Sequence, residues 1–293
     1  MMFNELTALY TEGDLAQLSS RILHSTAWKQ HDFTAYGDMQ INKLWLKSLE
    51  QFGFLQVTQQ QEIQGENFSA LYLTLSTALS GKKDKAKHVS VTFFFEHNNQ
   101  HIKRLHCVVD TLALAKLLKQ EPRVLLKALP TPDPLLLSQF DHQLHPKSFH
   151  ATPKDVCELP HAISDTVNQW WNIWQEKQLA SFKNIYSDNA IVQIAGFGSQ
   201  QGFVKLRDFH LKIHNRMNRS YCQLENICID KAGSSLAVKW HLDGDYINKS
   251  AIKRIRIPVI SVLTLENKLI IEEQLQIDWL ALYKQYALSY PFV

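Results

Sequence analysis

The chain lacks the patterns that mark membrane proteins and secreted proteins. No apolar run reaches the roughly 18–20 residues that a membrane span requires, and the start Met1-Met-Phe-Asn-Glu-Leu6 has neither the basic nor the apolar stretch of a signal peptide. Only four cysteines occur, with no Cys-x-x-Cys pair. This usage is typical of a reducing compartment. A soluble, cytoplasmic protein is therefore predicted.

A strong charge bias and the common catalytic motifs are missing as well. The net charge of +3 is too small for the concentrated basic face that phosphate-driven binding needs. We interpret the basic run Lys82–His88 as a solvated hairpin loop. Gly-x-Ser-x-Gly and phosphate-binding glycine patterns do not occur, so acyl-enzyme and nucleotide chemistry find no support. We predict no nucleic-acid partner, no membrane partner and no cofactor.

Proline is concentrated in one stretch. Seven of the nine prolines fall between Pro122 and Pro160, and because proline removes a backbone donor, this span is unsuited to a long helix or a central strand. We interpret residues 121–160 as a linker between two domains, at 1–120 and 161–293. Leu135–Leu137 and Phe140 are too apolar for a free tether and are expected to pack on a domain surface.

A short motif occurs twice. Asp110–Lys116 and Asp278–Lys284 share five of seven residues in the pattern Asp-x-Leu-Ala-Leu-x-Lys, at an offset of 168 positions (278 − 110). Carried back without a gap, the same offset lays Phe68–Tyr72 on Leu236–Trp240. The sequence therefore predicts a tandem duplication of one domain.

The second half of the chain predicts helices followed by strands. An apolar stripe with three- and four-residue steps predicts a helix from Ser164 to Tyr186, broken near Ala180 and capped by Ser164 or Asp165. A short strand at Ala190–Ile194 and a helix at Phe203–Met217 come next. Four strands joined by short turns then predict an antiparallel meander and an α+β fold, at Ser220–Asp230, Ser235–Tyr246, Ile252–Leu265 and Lys268–Asp278. A short helical tail, Trp279–Leu288, ends the half.

The first half is predicted to repeat this order. Asp14 is expected to cap a helix at Leu15–Trp28, and Gly37 and Asp38 to open another whose apolar stripe includes Trp45. The predicted strands lie at Phe54–Gln64, Phe68–Leu79, His88–Glu96 and His101–Asp110.

The ending Asp278-Trp-Leu-Ala-Leu-Tyr-Lys-Gln285 and the strand Leu236–Gly244, which enters a hairpin at a glycine, resemble the nuclear transport factor 2-like (NTF2-like) superfamily, in particular its SnoaL-like polyketide cyclase branch. The resemblance implies two tandem cone-shaped NTF2-like domains, in which a curved sheet wraps helices around an apolar pocket. Relatives often dimerise through the sheet, which implies an internal pseudo-dimer or a homodimer. The family's final-strand acid corresponds to Asp278, and to Asp110 in the first copy, whose motif lacks the glutamine.

Two interpretations of Asp278 stay open. Strand residues two apart share a face, which groups Asp278 with Gln276, Gln274 and Glu272. An acid held among tryptophans favours proton transfer on a bound carbonyl compound, because lost solvation raises the pKa of a carboxyl group. The alternative is a helix cap made to the amides of Trp279 and Leu280.

Other side chains complete the predicted site. His241 is a second candidate catalyst, but His241 and Trp240 are neighbours on one strand, so only one can face the pocket; packing favours Trp240. Three tryptophans and one tyrosine could wall or rim the pocket, or could simply fill the core: Trp170, Trp171, Trp174 and Tyr186.

His210 and His214 stand four residues apart and could share a metal, but they lack a third ligand, as do His142, His145 and His150 in the linker. We predict no metal site. The leading function hypothesis is isomerase- or cyclase-like chemistry on a small apolar carbonyl compound in the second domain, with a chiefly structural first domain. The alternative is a non-catalytic ligand-binding or protein-interaction module.

Overall fold

A computed structural model describes residues 2–13, 15–52, 55–77, 88–98, 100–133, 159–248 and 251–288. The chain divides into two units, Met1–Glu62 with Glu66–His150, and Ile63–Gly65 with Ala151–Val293. Several sequence predictions lie outside the described residues: the Asp14 cap, most of the basic run, and most of the linker with its apolar residues and histidines. The linker boundaries therefore stay a prediction, and its described start forms a short helix at Pro122–Ala128.

The first unit is a six-stranded sheet with helices. Its helices are α1 (Met2–Thr11), α2 (Ala16–Ser19), α3 (Gly37–Phe52), α4 (Thr111–Leu117) and α5 (Pro122–Ala128). Its strands are β1 (Ile22–Gln30), β2 (Phe33–Tyr36), β3 (Leu55–Gln64), β4 (Phe68–Thr77), β5 (His88–His97) and β6 (Ile102–Val109). They are arranged β2-β1-β6-β5-β4-β3, and the β1–β6 pair is parallel.

The second unit is also a six-stranded sheet with helices. Its helices are α6 (His161–Glu176), α7 (Phe182–Ile185), α8 (Val204–Arg216) and α9 (Trp279–Tyr286), with a 3₁₀ turn at Leu179–Ser181. Its strands are β7 (Tyr186–Ile194), β8 (Gly198–Gln201), β9 (Met217–Ile229), β10 (Ser235–Asn248), β11 (Ala251–Glu266) and β12 (Leu269–Gln276). They are arranged β8-β7-β12-β11-β10-β9, and the β7–β12 pair is parallel.

The two sheets have one topology. Advancing every strand number of the first sheet by six reproduces the second sheet, including the position of its parallel pair. The predicted α+β class with two consecutive units is confirmed, and the equal strand order supports a duplication independently of the short repeated motif.

The long helices follow their apolar stripes. In α3, Ile41, Leu44 and Trp45 are buried, while Lys43 and Lys47 are exposed. In α6, Val167, Trp170 and Trp174 are buried. The predicted break after α6 is also present, because Lys177 adopts a left-handed conformation with φ 59° and the next helix starts only at Phe182.

Three local predictions were wrong. Residues 22–28 form β1 instead of a helix, because this segment pairs with both β2 and β6, and sheet pairing outweighs weak helix propensity. Neither Ser164 nor Asp165 caps α6, which starts after Pro160 without a side-chain cap. Gly244 does not open a hairpin either: β10 continues to Asn248, and a Cβ atom at Gly244 would meet Met217 Cε at 2.6 Å.

Candidate functional site

A buried carboxyl group lies inside the second unit. Glu273 on β12 is fully buried and accepts a hydrogen bond from the Tyr186 hydroxyl. The Trp170 indole N–H lies 3.4 Å from Glu273 Oε1, and the Ser261 hydroxyl also bonds to the carboxyl group. We call these four residues the Glu273 cluster. It combines one acid with three donors in an aromatic surrounding.

Burial controls the acidity of this cluster. Loss of solvation raises the pKa of Glu273 from 4.5 to about 7, although the hydrogen bonds from Tyr186, Trp170 and Ser261 act in the lowering direction. Burial, and then the charge of Glu273, raises the pKa of the Tyr186 hydroxyl well above its ordinary value. Near neutral pH, both the protonated and the ionised form of Glu273 are therefore populated, whereas Tyr186 stays protonated and donates.

Four tryptophans of the predicted site pack together in the second unit. The Trp240 ring lies 6.0 Å from Trp170, 5.9 Å from Trp171 and 4.9 Å from Trp174, measured between ring centroids. The Trp240 N–H donates to Ser261 Oγ at 3.1 Å, which joins the aromatic rings to the Glu273 cluster. These tryptophans pack on one another, so their assignment as ligand-binding residues stays a prediction beside the core role that the sequence also allowed.

His241 lies on the opposite face of β10 from Trp240. Its Nε2 is 3.2 Å from Glu225 Oε1, and Lys239 Nζ is 2.9 Å from Glu225 Oε2. All three side chains are buried. A bulge in β9 opposite Lys239 and Trp240 accompanies this arrangement. The catalytic role predicted for His241 stays a prediction, and its geometry separates it from the α6 tryptophans.

Asp278 caps α9. Its Oδ1 accepts from the Ala281 amide at 3.1 Å, so the predicted cap exists but uses a later amide than Trp279 or Leu280. Gln276 is fully buried. It stands three positions after Glu273 on β12, so the two side chains lie on opposite faces of the strand. In the first unit, Asp110 Oδ1 likewise accepts from Ala113 N at 3.0 Å. Acid–base chemistry at Asp278 and ligand binding at Gln276 or Asp110 stay predictions.

An apolar pocket lies in the first unit, which the sequence predicted to be chiefly structural. The volume of the cavity is about 40 Å³. Seven largely apolar side chains dominate the lining: Trp45, Leu49, Leu75, Val89, Val91, Val109 and Leu114. The polar groups at the pocket come from few residues, namely Tyr10, Gln30, His31 and Ser48. We call this cavity the first-unit pocket.

The two α8 histidines are in contact, with ring centroids 4.2 Å apart. His210 Nε2 donates to Ile173 O at 2.8 Å, and His214 Nδ1 bonds with Ser220 Oγ at 2.9 Å. Burial lowers the pKa of His210 to about 4 and that of His214 to about 3, so both rings are neutral at pH 7. Within the described ranges, no group of three or more His, Cys, Asp or Glu residues is arranged to hold a metal ion.

Sequence reasoning missed Glu273 and the first-unit pocket. One signal for Glu273 was present: it lies on the same face of the strand as Leu275 and Ile277, so an acid stands among apolar residues. Asp278 belongs to the opposite face of the strand, together with Gln276 and Gln274. No local pattern marked the pocket, because its walls come from α1, β1, α3, β4, β5, β6 and α4.

No protein-family model matches the chain, and no curated protein matches its sequence. Solved structures do match. A candidate SnoaL-like polyketide cyclase of Shewanella putrefaciens CN-32 is 18% identical, covering 45% of this chain and 90% of that one, with a TM-score of 0.38. A Catenulispora acidiphila DSM 44928 protein with a ketosteroid isomerase-like fold, in complex with trimethylamine, is 12% identical. The match covers 44% of this chain and 97% of that one, with a TM-score of 0.38. An LEH-like epoxide hydrolase of M. tuberculosis is 16% identical. The match covers 43% of this chain and 89% of that one, with a TM-score of 0.35.

The chain is similar to SnoaL-like polyketide cyclases and to proteins of ketosteroid isomerase-like fold. The resemblance predicted from the sequence therefore recurs among solved structures. Among the described residues, no helix is both long and apolar enough to cross a membrane.

Proposed function

We propose that the protein binds a small, largely apolar molecule in the first-unit pocket. The observation that carries the proposal is a cavity whose walls are mostly apolar: Trp45, Leu75, Val89 and Val91 are buried around it, and few polar groups lie beside them. A neutral, apolar ligand is the class of molecule that such walls would take up from water.

The pocket suits this role physically. Ligand sites commonly have mostly apolar walls and a few placed polar groups. Leu75, Val89 and Val91 are each 1% exposed, so these walls are held in place by the surrounding fold. Each Å² of apolar ligand surface removed from water contributes about 25 cal/mol, which is the main driving force available to a neutral ligand here.

Binding of the neutral fluorophore 1-aminoanthracene, followed by its emission, tests the proposal. Leu49 lines the pocket and is half-buried, so Leu49→Trp should occupy the space without overpacking the core. Leu46 on the same helix is 56% exposed and is not a lining residue, so Leu46→Trp is the matched control. We expect wild type and Leu46→Trp to bind the probe with equal affinity and Leu49→Trp to lose at least tenfold. Equal binding by both variants, with unchanged circular dichroism, would overturn the proposal.

A second candidate function is proton transfer in the second unit. The observation that favours it is Glu273, a buried acid with a pKa of about 7 that accepts a hydrogen bond from Tyr186. General acid–base catalysis is most effective when the catalytic pKa lies near the working pH. Glu273 would carry the proton, and Tyr186 would orient its carboxyl group.

Hydrogen–deuterium exchange at the α-carbons of 2-tetralone, followed by proton NMR, tests this candidate. We expect wild type to accelerate exchange and Glu273→Gln to abolish the acceleration. Asp278→Asn measures the role predicted for that acid, because asparagine keeps a good helix cap while removing the acid. If wild type does not accelerate exchange above buffer, or if Glu273→Gln is fully active, the candidate fails for Glu273.

A further inference from the structure

A groove lies on the second unit, between helix α8 and the turn that joins β7 to β8. Its volume is about 300 Å³, which is enough for a small organic molecule. Three apolar and three charged residues along it matter for binding: Ile194, Phe197, Phe209, Lys205, Asp208 and Lys212. We call this space the α8 groove. It shares no residue with the Glu273 cluster and lies in the other unit from the first-unit pocket.

The apolar end of the α8 groove is a phenylalanine ring that is held in place. The Phe197 ring meets Phe209 at 5.4 Å and 60° and Trp279 at 6.0 Å and 79°. The turn that carries it is anchored, because the Trp279 N–H donates to Ala195 O at 2.8 Å. Even so, 42% of Phe197 is exposed. A fixed ring with an open side suits a flat apolar ligand, since little conformational freedom remains to be lost on binding.

The polar side of the α8 groove has more positive than negative charge. Lys205 and Lys212 stand seven residues apart on α8, a separation of two turns and about 10.5 Å that places them on one face. Asp208 lies between them, at spacings that allow ion pairs on a helix. Nevertheless, neither lysine forms an ion pair with any of the described residues. The three side chains are exposed, so both ammonium groups are accessible to a ligand.

We infer that the α8 groove binds an aromatic anion, a small molecule with a flat apolar body and one carboxylate, sulfonate or phosphate group. The apolar body contacts Phe197, and the acidic group lies between Lys205 and Lys212. Two ammonium groups against the one carboxylate of Asp208 leave a net charge of +1 (2 − 1) along the groove, which favours an anion over a cation. The inference does not rest on the proposed function, which concerns a neutral ligand in the first unit.

Binding of the aromatic sulfonate 1-anilinonaphthalene-8-sulfonate (ANS), followed by its emission, tests the charge requirement. Lys205→Gln combined with Lys212→Gln should weaken binding by roughly 2- to 30-fold, because each exposed ion pair contributes modestly. Asp208→Asn should strengthen binding by up to about fivefold, because it removes a like charge. Lys183→Gln combined with Lys231→Gln is the matched control. Both lysines are exposed and neither lines the groove, so the same change in net charge should leave the affinity unchanged.

The apolar contact and the location of the probe need separate measurements. Phe197→Ala should weaken ANS binding by roughly tenfold, because less apolar surface is removed from water. In ¹⁵N-labelled wild type, ANS should shift the amide signals of Gly198 and Gln200, which line the groove. This second readout does not depend on the stability of a variant.

Several results would overturn the inference. Wild type that does not bind ANS, or amide shifts confined to residues outside the α8 groove, would remove the site. Equal affinity of wild type and the folded Lys205→Gln, Lys212→Gln variant would refute the anion, as would weaker binding by Asp208→Asn. Unchanged affinity in folded Phe197→Ala would refute the aromatic body.

Discussion

Asp110 and Asp278 cap their helices with the same geometry: Asp110 Oδ1 accepts from Ala113 N at 3.0 Å, and Asp278 Oδ1 accepts from Ala281 N at 3.1 Å. In both cases the acceptor and donor are three positions apart, which is the usual N-cap spacing. The repeated motif Asp-x-Leu-Ala-Leu-x-Lys therefore has a structural reason, since it ends a sheet and begins a helix in each unit.

Removal of either cap should destabilise the protein modestly. We expect Asp110→Ala and Asp278→Ala each to lower the free energy of unfolding by about 1 kcal/mol, while Asn at either position retains most of the stability. Urea denaturation measures the effect. Asp165→Ala is the control, because Asp165 is exposed and does not cap α6. A loss in the Asn variants equal to that in the Ala variants would show that charge, rather than capping, is what these positions supply.

Glu273 should make the protein less stable as the pH rises. Its folded pKa of about 7 lies above the ordinary 4.5, so between these values the folded state binds more protons than the unfolded state. The contribution of Glu273 to the free energy of unfolding is fully present below pH 4.5 and is lost as the pH rises to about 7. The total change is on the order of 3 kcal/mol.

Glu273→Gln, measured by urea denaturation from pH 4.5 to 8, should remove this decline. Glu272→Gln alters the adjacent, half-buried acid on the other alternation set of β12 and is the matched control. A difference between Glu273→Gln and wild type that does not change with pH would contradict the raised pKa.

His210 should act in the opposite direction. Burial lowers its folded pKa from 6.5 to about 4, so the unfolded state binds more protons between these values. The contribution of the neutral His210 ring to the free energy of unfolding is present above pH 6.5 and is lost as the pH falls to about 4. His210→Phe should therefore lose less stability than wild type on acidification in urea denaturation. The exposed His24 gives the control His24→Gln, and a steeper acid loss in His210→Phe would refute the assignment.

Alanine substitutions at two glycines compare the cost of a left-handed backbone alone with the cost of that backbone plus a steric clash. Gly37 and Gly233 have φ +67° and +70°, but a Cβ atom would lie 3.0 Å from His24 O at Gly37 and would have no atom within 4 Å at Gly233. Both alanine variants incur the left-handed cost of roughly 1–2 kcal/mol. Gly37→Ala should lose more stability than Gly233→Ala in thermal or urea unfolding, because the backbone at His24 must also move away from the new Cβ atom. Equal losses would mean that the backbone near His24 relaxes freely.

Local pattern determined much of the architecture. The apolar stripes of α3 and α6 recur over many residues, and the strand-like runs of β3 to β6 and β9 to β12 are separated by short turns, so the types of these elements could be predicted. The tandem order could also be predicted, because it appears as the same succession of elements twice. The segment at residues 22–28 could not, since it is a strand only through its pairing with β2 and β6.

By itself, the sequence determined the fold class, the two consecutive units and the positions of Asp110 and Asp278 at strand-to-helix junctions, because each depends on residues close in the chain. Only the tertiary structure decided which alternation set of β12 points at the tryptophans, and therefore that Glu273 is the acid bound to Tyr186. It also decided that an apolar pocket lies in the first unit. Both are set by packing between residues far apart in sequence, which propensity and period do not encode.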